Sequence, residues 1–113
     1  MTKYLFIYRS EPMTTPPSPE EMQASLKHWN DWAAKFKATG NIVDEGDGLK
    51  PCGKVVKGGG IVTDGPFMEA KEVCGGFSII LAKDYAEAVK IAQACPMVQF
   101  GGNVEIREMA GYV

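Results

Sequence analysis

The hydrophobic positions of this chain form strand-like and helix-like groups that alternate along its length. Residues 4–8, Tyr-Leu-Phe-Ile-Tyr, are a continuous apolar run, which predicts a strand in the middle of a sheet with both faces buried. Apolar residues then recur at intervals of three and four, which predicts a helix with one face on the sheet. The members of this face are Met22, Leu26, Trp29, Ala33 and Phe36.

The ends of this helix are marked by capping residues. Ser18 suits the N-cap, Pro19 the first helical position and Glu21 the third, which together form a capping box. Gly40 supplies the stop at the other end. We therefore expect one helix between two well-defined ends.

Three further strand signals follow the helix. Residues 41–44 predict a short strand that runs into the turn-rich segment 45–51. Residues 54–57 and 61–63 flank three consecutive glycines, which predicts a β-hairpin with a flexible tip. No Gly-Lys-Ser/Thr sequence follows these glycines, so the tip is interpreted as a turn and not as a phosphate-binding loop.

The last part of the chain repeats the strand, helix, strand pattern. Residues 76–82 predict a strand, and Asp84 with Glu87 repeats the N-cap arrangement for a second helix that Pro96 ends. Residues 104–109 alternate as a half-exposed final strand does. The predicted apolar side of the second helix consists of Tyr85, Ala88, Val89, Ala92 and Cys95.

The element order β-α-β-(β-hairpin)-β-α-β favours an α+β fold of the ferredoxin-like split βαβ kind with a β-hairpin extension. A length of 113 residues and a hydrophobic content of 45% fit a single domain over residues 1–113. Helices on one side of such a sheet leave the other face open, so we expect a homodimer packed sheet to sheet.

Charge and cysteine content narrow the classes of partner. A net charge of −2, with basic residues scattered among acidic ones, argues against nucleic acid and anionic membrane. No segment approaches the roughly 20 apolar residues of a membrane span, and residues 4–8 are too short for a signal sequence. Three widely spaced cysteines predict neither a disulfide framework nor a zinc site, and they fit a reducing cytoplasm.

Residues 63–72 concentrate turn chemistry and charge between two predicted strands. Asp64 before Gly65 and Pro66 is typical of a tight turn, in which the carboxylate accepts local backbone N–H groups. Polar, ordered loops on a rigid scaffold often carry function. This segment is therefore the first candidate region for a site.

Several of these segments together resemble the DGPF branch of the YCII-related family, over nearly the whole chain. They are the start at residues 4–8, residues 18–22, 63–72, 75–77 and the finish at 104–107. The resemblance implies a ferredoxin-like fold that dimerises into an α+β barrel, with a cleft beside each sheet. It implies no established reaction, and domains of this kind also occur in company with sigma-factor-like proteins.

A related branch of that family is associated with a His and Asp pair. This sequence departs from that pattern, because His28 is about one position out of register and Cys95 precedes Pro96 where the Asp is expected. The chemistry of the pair is therefore not carried over. Cys95 itself is predicted to be a poor nucleophile, because it would lie at a helix C-terminus.

The candidate catalytic residues are Asp64 and His28. Asp64 can act as a general base, or it can only cap its turn. His28 is the one histidine of the chain and has an ordinary pKa near neutrality, but a lone histidine on a helix is more often a packing residue.

The candidate ligand-binding residues are Arg9, Trp29, Phe67, Lys71 and Glu72. Arg9 can hold a carboxylate or form a surface ion pair, and Lys71 is an electrostatic partner for a small anionic ligand. Trp29 can line a pocket, although its helical spacing favours the core. Phe67 adjoins Asp64, and Glu72 adds a carboxylate. No metal or cofactor is predicted.

Two functional hypotheses follow. The first is a noncatalytic module, a ligand-binding or regulatory homodimer with its cleft near residues 63–72. The second is a small-molecule lyase or isomerase in which Asp64 or His28 transfers a proton.

Overall fold

A computed structural model describes residues 1–11, 15–65 and 72–112 of the chain. They form a mixed α+β fold with one four-stranded antiparallel sheet, a separate two-stranded hairpin and three α-helices. The strands are β1 Thr2–Ser10, β2 Ile42–Gly48, β3 Gly53–Lys57, β4 Ile61–Gly65, β5 Val73–Ala82 and β6 Asn103–Glu108. The helices are α1 Pro19–Ala38, α2 Tyr85–Gln93 and α3 Pro96–Gln99.

The main sheet has the strand order β2-β5-β1-β6, in which every neighbouring pair is antiparallel. The strand β1 therefore lies inside the sheet, as its apolar run predicts. Its alternate residues Tyr4, Phe6 and Tyr8 are buried, and Leu5 and Ile7 between them are only half-buried. The expectation that both faces are buried is wrong for this chain, because all three helices pack on one face.

The core lies between that face and the helices. Phe6 and Ile80, on neighbouring strands, are 0% exposed, and the small residues Ala88 and Ala92 let α2 approach the sheet closely. From α1, Trp32 is buried and donates its indole N–H to the carbonyl of Ile91 at 3.1 Å. This contact ties the two long helices together over the sheet.

The capping residues act as predicted. The Ser18 hydroxyl accepts the backbone N–H of Glu21 at 3.1 Å, and the Asp84 carboxylate accepts that of Glu87 at 2.9 Å. Helix α1 ends with Gly40 at φ 78°, a left-handed conformation that suits glycine. The paired backbone bonds from Gly40 to Lys37 and from Asn41 to Phe36 complete the C-terminal cap.

The apolar faces of the helices differ from the predicted ones in part. Met22 and Leu26 are 53% and 59% exposed, because the first half of α1 extends beyond the core, whereas Trp32, outside the predicted face, is buried. On α2, Ile91 is buried, whereas Val89 and Tyr85 of the predicted apolar side are 39% and 48% exposed. Pro96 does not only follow the second helix but begins the short α3, and Cys95 is the N-cap of that helix.

The segment after α1 is also more regular than expected. Strand β2 extends to Gly48 through the segment that the sequence predicts as turns, and it does so with two shifts of register against β5. The predicted hairpin is confirmed. Strands β3 and β4 pair along their whole length, from Gly53 opposite Gly65 to Lys57 opposite Ile61. Its three glycines form the connecting turn, in which Gly59 and Gly60 have φ values of 82° and 79°.

Candidate functional site

A cleft of about 500 Å³ lies between α1 and the ends of β2 and β5. Its wall on the helix side carries Trp29, and the opposite side is backbone from β2 and from Gly75 and Gly76. The volume and the mixture of aromatic wall and polar floor are those of small-ligand pockets. We call it the α1 cleft.

The floor of the α1 cleft is a chain of buried hydroxyl groups. Tyr8 donates its hydroxyl hydrogen to the Ser78 oxygen at 2.7 Å, and Ser78 donates to the carbonyl of Glu45 at 2.6 Å. Burial raises the pKa of Tyr8 well above its usual range, and the hydrogen bond with Ser78 opposes this shift only partly. The Tyr8 hydroxyl is therefore neutral, and because its hydrogen is donated to Ser78, only its oxygen can accept a further hydrogen bond.

The Cys95 thiol lies beside the Tyr8 hydroxyl, under the floor. The thiol is fully buried, and this burial raises its pKa to about 11, although backbone N–H groups of Met97 and Val98 oppose the shift. The thiol form therefore dominates at neutral pH, which agrees with the prediction that Cys95 is a poor nucleophile, although the reason is burial.

The mouth of the cleft is formed by β2, and glycine is required there. Gly46 has φ 69°, and a Cβ at this position would lie 1.8 Å from the carbonyl oxygen of Phe77. A Cβ on Gly76 would likewise meet the Asp47 carbonyl oxygen at 2.8 Å. The backbone of β2 thus approaches β5 closely, and the Asp47 carboxylate accepts the Gly48 N–H at 2.7 Å.

The predicted catalytic residues lie apart from this cleft and from each other. Asp64 belongs to strand β4, not to a turn, and its exposed carboxylate pairs with Lys54 across the hairpin. The backbone N–H groups that Asp64 would cap in the predicted turn, those of residues 66 and beyond, lie outside the described residues. His28 faces away from the α1 cleft, into a shallower groove of about 280 Å³ beside α3, and its ring lies 5.4 Å from that of Phe100.

The predicted ligand-binding residues divide into three groups. Trp29 lines the α1 cleft and also packs against the core, with its ring 4.9 Å from that of Tyr8. Arg9 pairs with Glu105 at 3.5 Å on β6, and Glu72 accepts a hydrogen bond from Asn103 on the same strand. Phe67 and Lys71 lie outside the described residues.

Sequence reasoning missed the hydroxyl floor of the cleft. The apolar run predicts Tyr8 as a residue of a central strand, which is its backbone position, but Tyr8 also lines the cleft and its hydroxyl bonds to Ser78. Ser78 is a lone polar residue among apolar neighbours of β5 and is 1% exposed. A serine on the buried side of a strand was the available signal, because a buried hydroxyl needs a partner.

No described helix is both long and apolar enough to cross a membrane. Within residues 1–11, 15–65 and 72–112, no three His, Cys, Asp or Glu side chains come together as a metal site would require. The α1 cleft, at about 500 Å³, is larger than the groove of about 280 Å³ beside α3.

These features define the class of the protein as a small mixed α+β domain with an antiparallel sheet, helices and a cleft beside the sheet. Residues 2–110 match the model of the YCII-related domain, and the chain belongs to that family. The function of the family is generally unknown. No curated protein matches the chain.

Proposed function

We propose that this protein is a noncatalytic homodimer of the DGPF branch that binds a small ligand in the α1 cleft, in a regulatory role. The observation that carries the proposal is the construction of the cleft: a cavity of about 500 Å³ with Trp29 on its wall and the neutral Tyr8 hydroxyl on its floor. A few fixed polar groups beside an aromatic surface orient a ligand in such a cavity.

Binding is favoured over proton transfer by where the ionisable groups lie. A general base has to come within hydrogen-bond reach of the proton that it removes. Asp64 is on the hairpin, paired with Lys54, and His28 is in a separate groove on the far side of α1. A lyase or isomerase that uses either residue remains a prediction, but neither is among the residues that line the α1 cleft.

The dimer is supported by the open face of the main sheet. The strand order β2-β5-β1-β6 is the one expected of a ferredoxin-like split βαβ fold, with helices on one face. The other face carries half-buried apolar side chains in its two central strands: Leu5, Ile7, Phe77, Ile79 and Leu81. A second copy placed face to face would remove these side chains from water and form the proposed α+β barrel.

The proposed setting is the cytoplasm, supported by the three widely spaced cysteines, with no nucleic acid or membrane as partner, supported by the net charge of −2. That the ligand is a small anion also remains a prediction. Arg9, one of its predicted contacts, pairs with Glu105, and the other, Lys71, lies outside the described residues.

Ligand binding is tested by screening a metabolite library for thermal stabilisation, with two variants of α1. Ser25→Trp places a large side chain in the lining of the cleft, whereas Gln23→Trp makes the same type of change on the same helix outside the lining. We expect at least one metabolite to raise the melting temperature of the wild type and Gln23→Trp but not of Ser25→Trp, without being converted. Ligands that stabilise both variants equally would contradict a site in this cleft.

The dimer is tested by light scattering after size-exclusion chromatography. Ile79→Lys places a charge in the centre of the open face, and Ile61→Lys makes the same substitution on the exposed hairpin. The expected result is a dimeric mass for the wild type and for Ile61→Lys, and a monomeric, folded Ile79→Lys variant. A wild type that is monomeric at 100 µM, roughly a thousandfold above a tight dimer constant, would reject the homodimer.

A further inference from the structure

One edge of the open sheet face is acidic because strand β2 is irregular. Its two register shifts bring Asp44 opposite Ile79 and Asp47 opposite Phe77 on β5. Directly paired residues of antiparallel strands share a face, so both acidic residues lie on the face that carries Ile79 and Phe77. An unbroken ladder would place Asp44 opposite Ser78, on the covered face. Both acidic residues are exposed.

The opposite edge of the same face is basic. On β6, Arg107 lies opposite Leu5 and Glu105 lies opposite Ile7. The Glu105 carboxylate is 3.5 Å from the Arg9 guanidinium and 3.4 Å from that of Arg107, so one negative charge lies between two positive ones. The Arg107 side chain is still 70% exposed, which leaves it free to make a further contact.

The two edges are joined by a single row of paired residues. Asp44 pairs with Ile79, Ile79 with Leu5, and Leu5 with Arg107. The row therefore runs from an acid through two half-buried apolar side chains to a base. An apolar centre with charged ends is the usual composition of a protein interface.

This asymmetry distinguishes two ways of packing two copies face to face. In aligned packing, strand directions stay within about 30° of each other, so the two-fold axis lies close to the strands or close to their perpendicular. An axis along the strands places β2 of one copy over β6 of the other. The perpendicular axis places β2 over β2, which brings together Asp44 and Asp47 of both copies. Like charges that face each other across an interface are unfavourable.

We propose that the two copies pack with the two-fold axis along the strands, so that Asp44 of each copy pairs with Arg107 of the other. This geometry rests on the proposed homodimer and specifies how its two copies meet. In the centre, β5 of one copy lies over β1 of the other, which brings Ile79 over Leu5. The pairing of the edges fixes the relative orientation of the two sheets.

Charge reversal at each edge tests this geometry. Dimer dissociation constants are measured at pH 7 and low salt by sedimentation over a dilution series. Asp44→Lys and Arg107→Glu should each weaken the dimer about 10- to 100-fold, because the symmetry repeats the like-charge contact twice. Asp31→Lys and Lys27→Glu make the same changes on exposed positions of α1, away from this face, and should leave the constant unchanged.

Combining the two changes supplies the sharper test. The double variant Asp44→Lys/Arg107→Glu places the introduced lysine opposite the introduced glutamate, and it should dimerise about as tightly as the wild type. A mixture of the two single variants should form mixed dimers in excess of the half that random exchange gives, because only the mixed dimer has opposite charges at both edges. Native mass spectrometry measures this share.

The Asp44 carboxylate also accepts the Gly46 N–H at 2.7 Å, so its replacement needs a variant that keeps this contact. Asp44→Asn retains an oxygen for that N–H and should weaken the dimer about threefold at low salt, with less effect in 0.5 M salt. This variant carries the test if circular dichroism shows that Asp44→Lys is unfolded.

The contrary outcomes differ from those that would reject the dimer. A tighter dimer for Asp44→Lys would indicate the perpendicular axis and overturn the proposed geometry. A double variant as weak as the single ones, mixed dimers at the random share, or an unchanged constant for Asp44→Asn would also overturn it while the wild type remains dimeric. A monomeric wild type would instead reject the proposed homodimer itself.

Discussion

The two faces of strand β1 are almost equally apolar in sequence, but they differ in how far the structure buries them. On the covered face, Tyr4, Phe6 and Tyr8 are at most 4% exposed and form the base of the core. On the open face, Leu5 and Ile7 are half-buried, and Arg9 continues the row with an ion pair to Glu105. Alternation along a strand sets which residues share a face, but the helices decide which face becomes the interior.

This difference also locates the candidate site. The α1 cleft opens on the covered face, where Tyr8 ends the row of buried side chains and its hydroxyl meets Ser78. The open face carries the surface proposed for dimerisation. One strand thus borders the proposed ligand site on one side and the proposed subunit interface on the other, and substitutions of neighbouring residues should separate the two roles.

The largest difference is expected for side-chain truncation on each face. Phe6→Ala removes a ring that is 0% exposed and should lower the free energy of unfolding by about 3 to 5 kcal/mol. Leu5→Ala, one residue away on the half-buried face, should cost about 1 kcal/mol when the protein is dilute enough to be monomeric. Urea unfolding of both variants measures this contrast, and equal losses would contradict the assignment of the two faces.

The next effect is a loss of stability at alkaline pH that originates on the covered face. The pKa of Cys95 is raised from 9.0 to about 11 by burial, so the folded state holds this proton more tightly than the unfolded state. Its contribution is fully present below pH 9 and is lost as the pH rises towards 11, by about 2 to 3 kcal/mol.

Unfolding free energies at pH 8, 9, 10 and 11 measure this dependence. Cys95→Ala should flatten the part of the decline between pH 9 and 11, and Cys52→Ser, at an exposed cysteine, should leave the decline intact. Buried Tyr8 contributes in the same direction at higher pH, so some decline should persist in Cys95→Ala. An unchanged profile in that variant would show that the thiol is not the titrating group.

A moderate effect is expected when the buried hydroxyl pair is broken. Ser78→Ala leaves the Tyr8 hydroxyl without its acceptor and the Glu45 carbonyl without its donor, which should cost about 1 to 3 kcal/mol. Tyr8→Phe leaves the Ser78 bond to Glu45 in place and should cost less. Thermal unfolding of the two variants gives the order, and a more stable Ser78→Ala protein would argue against the hydrogen-bonded floor.

The smallest effect is expected for the polar pair on the open face. Arg9→Gln removes an ion pair between side chains that are 36% and 39% exposed, and such pairs contribute about 0 to 1 kcal/mol. The change in unfolding free energy of the monomer should therefore stay below about 1 kcal/mol and should shrink further in 0.5 M salt. A larger loss would mean that Arg9 has a role beyond this pair.

Local signals in the sequence predicted local structure correctly. Ser18 and Asp84 start their helices as expected, because an N-cap is recognised from residues within one turn of it. The helix faces were less predictable: Met22 and Leu26 have helical spacing, but their exposure depends on where α1 leaves the sheet. That boundary is a property of the whole fold.

The site was harder to predict than the fold, for a related reason. In its floor, Tyr8 is hydrogen-bonded to Ser78, which is 70 positions away in the sequence. Each of the two residues, taken alone, is an ordinary member of a strand. Asp64, in the most distinctive segment of the sequence, lies on a hairpin that forms its own sheet. A distinctive motif identified the family, whereas the cleft arises from residues that only the fold brings together.

The irregular strand β2 has a consequence for how the protein behaves at high concentration. It lies at one edge of the main sheet, where an exposed row of backbone groups can recruit strands from other molecules. Two register shifts interrupt the regular pairing along that edge. The edge strand also carries three acidic side chains, those of Asp44, Glu45 and Asp47. Copies of this chain are therefore discouraged from joining edge to edge into growing fibres, even though an apolar face of the same sheet remains open.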